Sequence, residues 1–197
     1  MRVILLITTL LISSFAPPEA AVHQLRYRVK QDGKDIGEIR ATRKFQDNRT
    51  FYDVETRLNV KMLGSQKVEY YLKAVYQNGM LLSSTAKSFL NEKLHHTCQT
   101  SLKNNRYEIR RDKESHTLSR ALNYSGVMLY FQEPLNVHIV YSEMSGQDNF
   151  IRKASEGHYL MTDGKSKKQN RYWYRNGQLE KAFIKHTFVD LELVRAH

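Results

Sequence analysis

Four groups of residues in this 197-residue chain have side chains that do chemistry, and spacing decides what each could do. His95, His96 and Cys98 are the one cluster of metal-binding types. On an extended strand His96 and Cys98 share a face while His95 points to the other. Zinc takes three or four ligands, and no second pair of matching spacing completes the set. The expectation is therefore a buried Cys98 beside partly exposed histidines, with no metal and no cofactor. Ser125, His138 and Glu143 supply the types of a hydrolytic triad. A nucleophile elbow of the form Gly-x-Ser-x-Gly ahead of a helix is missing, and Ser125-Gly126 is only a fragment of one. The chain is read as non-enzymatic.

The other two groups are candidates for binding. In Leu129-Tyr130-Phe131-Gln132-Glu133-Pro134, the proline holds Glu133 extended beside two large aromatics. Either Tyr130 and Phe131 line a pocket mouth where Glu133 anchors a polar ligand group, or the segment plugs the open end of a sheet and Glu133 pairs with an arginine. In Arg171-Tyr172-Trp173-Tyr174-Arg175, strand geometry puts Arg171, Trp173 and Arg175 on one face and the tyrosines on the other. That ladder suits a glycan or a lipid head group, and equally suits cation–π contacts on an outer sheet face.

The elements that must position these residues are strands. Leu25, Tyr27 and Val29 alternate with Arg26, Arg28 and Lys30, and Asp32-Gly33 follows as a hairpin turn. The next strand runs from Ile36 to Phe45, with Ile39, Ala41 and Phe45 on one face and Gly37 marking a bulge or a close backbone approach. Further strands are expected at Tyr52–Val60, Val68–Tyr76, Met80–Phe89, Leu94–Leu102 and Tyr107–Arg111. Alternation lapses between Leu118 and Pro134, where a short helix or a strand crossing is expected, and resumes at Val137, Ile139 and Tyr141. A hairpin at Asp163-Gly164 joins 157–162 to 171–174, and Asn176-Gly177 leads into a last pair with Phe183, Val189, Leu191 and Leu193 on one face. The prolines, at 17, 18 and 134, avoid every proposed strand interior. The fold class is all-β: an antiparallel meander of about ten or more strands, too many to stay flat, curled into a barrel or half-barrel. A curled sheet has a concave face, and one not filled by side chains or a helix is a pocket.

The N-terminus reads as a secretory signal. Arg2 precedes an apolar run from Val3 to Ile12, too short to span a bilayer core of about 30 Å. Residues 1–21 are taken as signal and 22–197 as one domain, periplasmic or secreted and soluble. No cysteine lies near the junction, so no lipid anchor is expected. There are 31 Lys+Arg against 20 Asp+Glu, a net +11, and the signal removes Arg2 and Glu19, one of each sign. That surplus favours an anionic membrane surface or a glycan, and export makes nucleic acid the least expected partner. Cys98 is the only cysteine, so no intramolecular disulfide stabilises the core.

The order of several motifs carries a resemblance. Tyr27-x-Val29-x-x-Asp32-Gly33-Lys34-x-Ile36-Gly37 opens it, followed by Lys73-Ala74-Val75-Tyr76-x-Asn78-Gly79 and Leu129-Tyr130-Phe131-x-Glu133-Pro134. Ser142-Glu143-x-x-Gly146 and Tyr172-x-Tyr174-x-Asn176-Gly177 complete it. With these the chain resembles a family of exported bacterial proteins of unknown function. The resemblance implies a curved antiparallel sheet similar to periplasmic lipoprotein-carrier folds, and no known activity. The leading expectation is a binding or carrier protein for an apolar or amphiphilic ligand. The alternative is an envelope module that binds a protein or glycan through its basic-aromatic surface.

Overall fold

The computed structural model describes residues 21–62, 64–185 and 189–196. The expected signal segment, up to residue 20, lies outside the described residues. The described residues form one antiparallel sheet of fourteen strands. In chain order these are β1 (Val22–Gln31), β2 (Lys34–Gln46), β3 (Arg49–Met62), β4 (Gly64–Gln77), β5 (Met80–Leu90), β6 (Lys93–Lys103), β7 (Arg106–Arg111) and β8 (Glu114–Leu118). After a long connection come β9 (Ile139–Ser142), β10 (Gln147–Ser155), β11 (His158–Asp163), β12 (Gln169–Arg175), β13 (Gln178–Lys185) and β14 (Asp190–Ala196). The spatial order is β8 down to β1, then β14 down to β9. Consecutive strands pair throughout each run, and β1 joins the runs through its ladder with β14.

Local chemistry makes this meander. Asp32-Gly33, Asn78-Gly79 and Asn176-Gly177 each place two residues at positive φ, the two-residue turn whose twist matches that of the flanking strands. Asp47-Asn48 and Asn104-Asn105 do the same without glycine, since asparagine and aspartate tolerate the left-handed region. Asp163-Gly164 behaves differently: the loop is longer, with Asp163 Oδ1 accepting from the amides of Lys165 and Ser166. Gly37 combines both expected roles. The β1–β2 register shifts beside it, between Val29 and Lys30, and a Cβ at Gly37 would stand 1.9 Å from the Arg57 carbonyl oxygen on β3.

The inward face carries the core, with Tyr27, Val29, Ala41, Val54, Ala86, Cys98 and Ile109 all buried. The sheet curls without closing. No backbone ladder links the edge strands β8 and β9. Instead the β9–β10 edge tucks against the inner face of β6 and β7. Tyr141 Oη lies 2.6 Å from Thr100 Oγ1, His116 Nε2 lies 3.1 Å from the Gly146 carbonyl, and Arg120 grips Asp148 through two nitrogens.

The connection between β8 and β9 turns inward as a plug. It holds a 3-10 helix, Gly126–Tyr130, flanked by the buried Leu122, Tyr124 and Phe131. Irregular backbone inside a barrel needs hydrogen-bond partners, and the inward tyrosines supply them. Tyr27 Oη is shared between the Tyr130 and Leu179 carbonyls at 3.2 and 3.1 Å, and Tyr174 Oη donates to the Leu129 carbonyl at 2.9 Å. Tyr124 Oη donates to the Gln132 carbonyl at 2.6 Å.

Two expectations need correction. Phe183 does not share a face with Leu191 and Leu193. It pairs with Glu192, one register step from the inward pair Ala182–Leu193, and is therefore on the outside against Trp173. Strands β8 and β10 were not anticipated. Four of the five β8 residues are exposed, so nothing alternates, and β10 puts Phe150 outward and Asn149 inward, against the usual polarity.

Candidate functional site

The plug leaves part of the concavity unfilled. A cavity of about 450 Å³ lies between one side of the plug and the inner face of β1–β4 and β9–β14. Its walls are mostly apolar: Val29, Leu58, Leu72, Met161, Leu179 and Leu193 from the strands, with Leu129 and Tyr130 from the plug. Polar groups enter from the β9–β10 turn and the neighbouring strands, among them Ser142, Glu143, Asn149 and Asp163.

Glu143 is the most unusual of these. It is 1% exposed, and its Oε1 accepts from Ser125 Oγ at 2.5 Å and from the Val127 amide at 3.2 Å. Tyr76 Oη in turn donates to Ser125 Oγ at 2.6 Å, so a buried relay runs from β4 through the plug to the β9–β10 turn. Gly126 permits it, since a Cβ there would meet Glu143 Oε2 at 2.9 Å. Burial pushes the Glu143 carboxyl above the ordinary carboxylate range, with the Ser125 and backbone hydrogen bonds pulling the other way. Burial likewise raises the Tyr76 hydroxyl, with the Glu143 charge adding to it.

The residues singled out by type fall in four places. Ser125 and Glu143 meet directly, whereas His138 is exposed on the loop before β9. That arrangement holds the plug and leaves the serine donating to a carboxyl with no imidazole between them. Cys98 is fully buried and burial pushes its thiol up to about 11, far from a reactive thiolate. His96 instead pairs with Asp112, Nδ1 to Oδ2 at 2.9 Å. Among the described residues no three His, Cys, Asp or Glu side chains converge as a metal site.

Tyr130, Phe131 and Glu133 separate around the plug. Tyr130 lines the cavity. Phe131 packs on the opposite side against His23 and Tyr52, with the Arg43 guanidinium 5.4 Å from its ring centre. Glu133 does not pair with an arginine: Tyr159 Oη donates to its Oε1 at 2.7 Å. Burial, then that hydrogen bond, pushes the Tyr159 hydroxyl up to about 12. Arg171, Trp173 and Arg175 lie on the outer face of β12, with Tyr172 and Tyr174 buried inside. Trp173 stacks on His158 at 4.6 Å and meets Phe183 edge-on at 5.5 Å, while Lys181 Nζ stands 4.6 Å from the Phe183 ring centre. The cavity and the Trp173 patch are therefore on opposite faces of the sheet. Sequence reasoning missed the wall residues from β3, β4 and β11, because alternation marks them as core without showing that space is left between them.

Three comparisons bear on this geometry. The model of a family described as domain of unknown function (DUF6134) matches residues 27–196. No curated protein matches the chain. Among solved structures, the chain is similar to a beta-barrel-like protein of domain of unknown function DUF1849 from Brucella abortus. The identity is 10% and the TM-score 0.56, over 89% of this chain and 95% of that one.

Proposed function

The chain belongs to the family described as domain of unknown function (DUF6134), and from that premise we propose that it is an exported, non-enzymatic protein that holds an apolar or amphiphilic ligand inside its curled sheet. The observation that supports this reading is the cavity beside the plug. At about 450 Å³ it is within the range of small-molecule sites, and its mostly apolar wall with a few converging polar groups is the composition such sites have. The net charge of +11 would bring the protein to anionic membrane surfaces, where an amphiphile is to be collected or delivered.

The test is native mass spectrometry of the protein expressed as the full chain and purified without detergent. A reproducible extra mass that organic solvent extracts is the expected result. It should disappear in Leu191→Trp, which fills the cavity from a half-buried wall position on β14. A clean mass that stays clean after incubation with a long-chain amphiphile would end the carrier reading.

A second reading has its own observation, the Trp173 patch on the outer face, in which an aromatic cluster stands among Arg171, Arg175 and Lys181. Such a surface suits an envelope glycan or protein. Affinity capture from an envelope extract with wild type and Trp173→Ala decides it: a partner lost in the variant supports this reading, and identical captures remove it.

A further inference from the structure

An arginine faces into the curled sheet. On β1, β2 and β3 the buried inward row Leu25–Ala41–Val54 is followed, two residues nearer the strand ends, by His23–Arg43–Tyr52. Arg43 is half-buried there, on the side of the plug away from the 450 Å³ cavity. A separate recess of about 410 Å³ opens beside it, with Val22, His23, Phe45, Thr50 and Gln132 among its walls. It adjoins a smaller one of about 240 Å³ that reaches Tyr76 and Met128, the two sharing Phe45, Thr50 and Tyr52. Among the described residues no Asp or Glu lines either recess. The contacts Arg43 makes are with uncharged groups: its Nη2 donates to His23 Nδ1 at 3.4 Å, and its guanidinium stands over the Phe131 ring. Burial, then the charges of Arg43 and Arg195, hold the His23 imidazole below its ordinary value, so His23 adds an acceptor and no counter-charge. Arg195 is paired with Glu180, Nη1 to Oε1 at 3.0 Å, which leaves Arg43 without a carboxylate partner among the described residues.

We propose that this recess is a second ligand site, which takes an oxyanion, a carboxylate or a phosphate, borne on a short apolar stem, with the anion on Arg43 and the stem toward Phe45 and Met128. A guanidinium has five N–H donors in a fork that matches such oxyanions, and His23 takes only one of them. A half-buried cation with no carboxylate beside it has given up water without gaining a counter-charge, and a bound anion supplies one through charge-assisted hydrogen bonds. The Thr50 hydroxyl and the Gln132 amide add donors from the same wall. Phe45, 55% exposed at the rim, offers apolar surface that a stem would cover. The site goes beyond the carrier reading and does not rest on it, since the plug stands between the two spaces.

Calorimetric titration of the full chain with octyl phosphate, below its micelle concentration, tests this. Arg43→Gln should weaken binding by about tenfold or more. Arg26→Gln removes the same charge from the exposed outer face of β1 and should change it by no more than about twofold. Phe45→Asp sets a negative charge at an exposed rim position that the core does not need. It should weaken binding as Arg43→Gln does, and it decides the matter if Arg43→Gln folds poorly. Leu191→Trp should leave this binding in place, so failure here and failure of the cavity reading are told apart. Equal losses in Arg43→Gln and Arg26→Gln would assign the binding to the basic exterior and overturn the inference, as would no binding by the wild type. Flotation with phosphatidylglycerol vesicles separates the sources of the anion. Flotation lost in Arg43→Gln alone assigns the site to a lipid head group, and flotation equal to that of wild type assigns it to a free molecule.

Discussion

At the scale of single residues, the relay Tyr76–Ser125–Glu143 is the feature with a measurable signature. Burial holds the Glu143 carboxyl above its ordinary value of 4.5 in the folded chain. The folded state therefore keeps a proton that the unfolded chain releases, and stability from this group falls as pH rises above that ordinary value. Replacing the carboxyl removes the dependence. The stability of wild type minus that of Glu143→Gln should shift in favour of the variant as pH is raised from acid to neutral, as read by urea unfolding at several pH values. A difference that does not change with pH would show Glu143 to be unperturbed. Ser125 and Glu143 were both visible in the sequence as chemically capable types. Their adjacency was not, because it depends on an inward-turning connection that no periodicity encodes. The strand positions of the tyrosines were legible, and their contacts were not, for a related reason. Alternation identifies Tyr27 and Tyr174 as strand residues facing inward, but not that their hydroxyls reach plug carbonyls.

At the scale of elements, most strands were legible because half-buried strands alternate and two-residue turns use few residue types. Where those signals are weak, at β8 and β10, the reading stopped short. Phe183 shows a subtler failure: an apolar residue was assigned inward by type, when register against Glu192 places it outside. Gly37 is the element-scale test. With a Cβ only 1.9 Å from the Arg57 carbonyl oxygen, Gly37→Ala must push β2 from β3 and should cost about 3 kcal/mol. Gly33→Ala, in a turn with nothing within 4 Å of the new methyl, should cost only about 1 kcal/mol through its positive φ. Denaturant midpoints for the two variants measure the contrast, and equal losses would refute the close-approach argument.

At the scale of the whole molecule, the sequence implied a curled sheet and left its closure open, since shear and stagger are not contained in alternation. The structure answers with a seam held by side chains. Arg120 and Asp148 are each about one-third exposed, so solvent limits their worth, and Arg120→Ala should cost about 1 kcal/mol. The larger effect should be local, with faster hydrogen exchange of the amides in β9 and β10 and little change in β2 and β3. Uniform acceleration across the sheet would mean that the seam does not open independently.

The β1–β14 ladder has a consequence for how the molecule is made. Every other ladder among the described residues joins strands that are neighbours along the chain and can zip up as they become available. This one spans nearly the entire polypeptide, with Arg26 facing Ala196. Until the last strand arrives, β1 has an unpaired edge in what becomes the middle of the sheet. Nascent or partly folded chains are thus most exposed to sticking to one another in the interval before that union. The same strands that complete the native sheet offer, during that interval, a template for the wrong one.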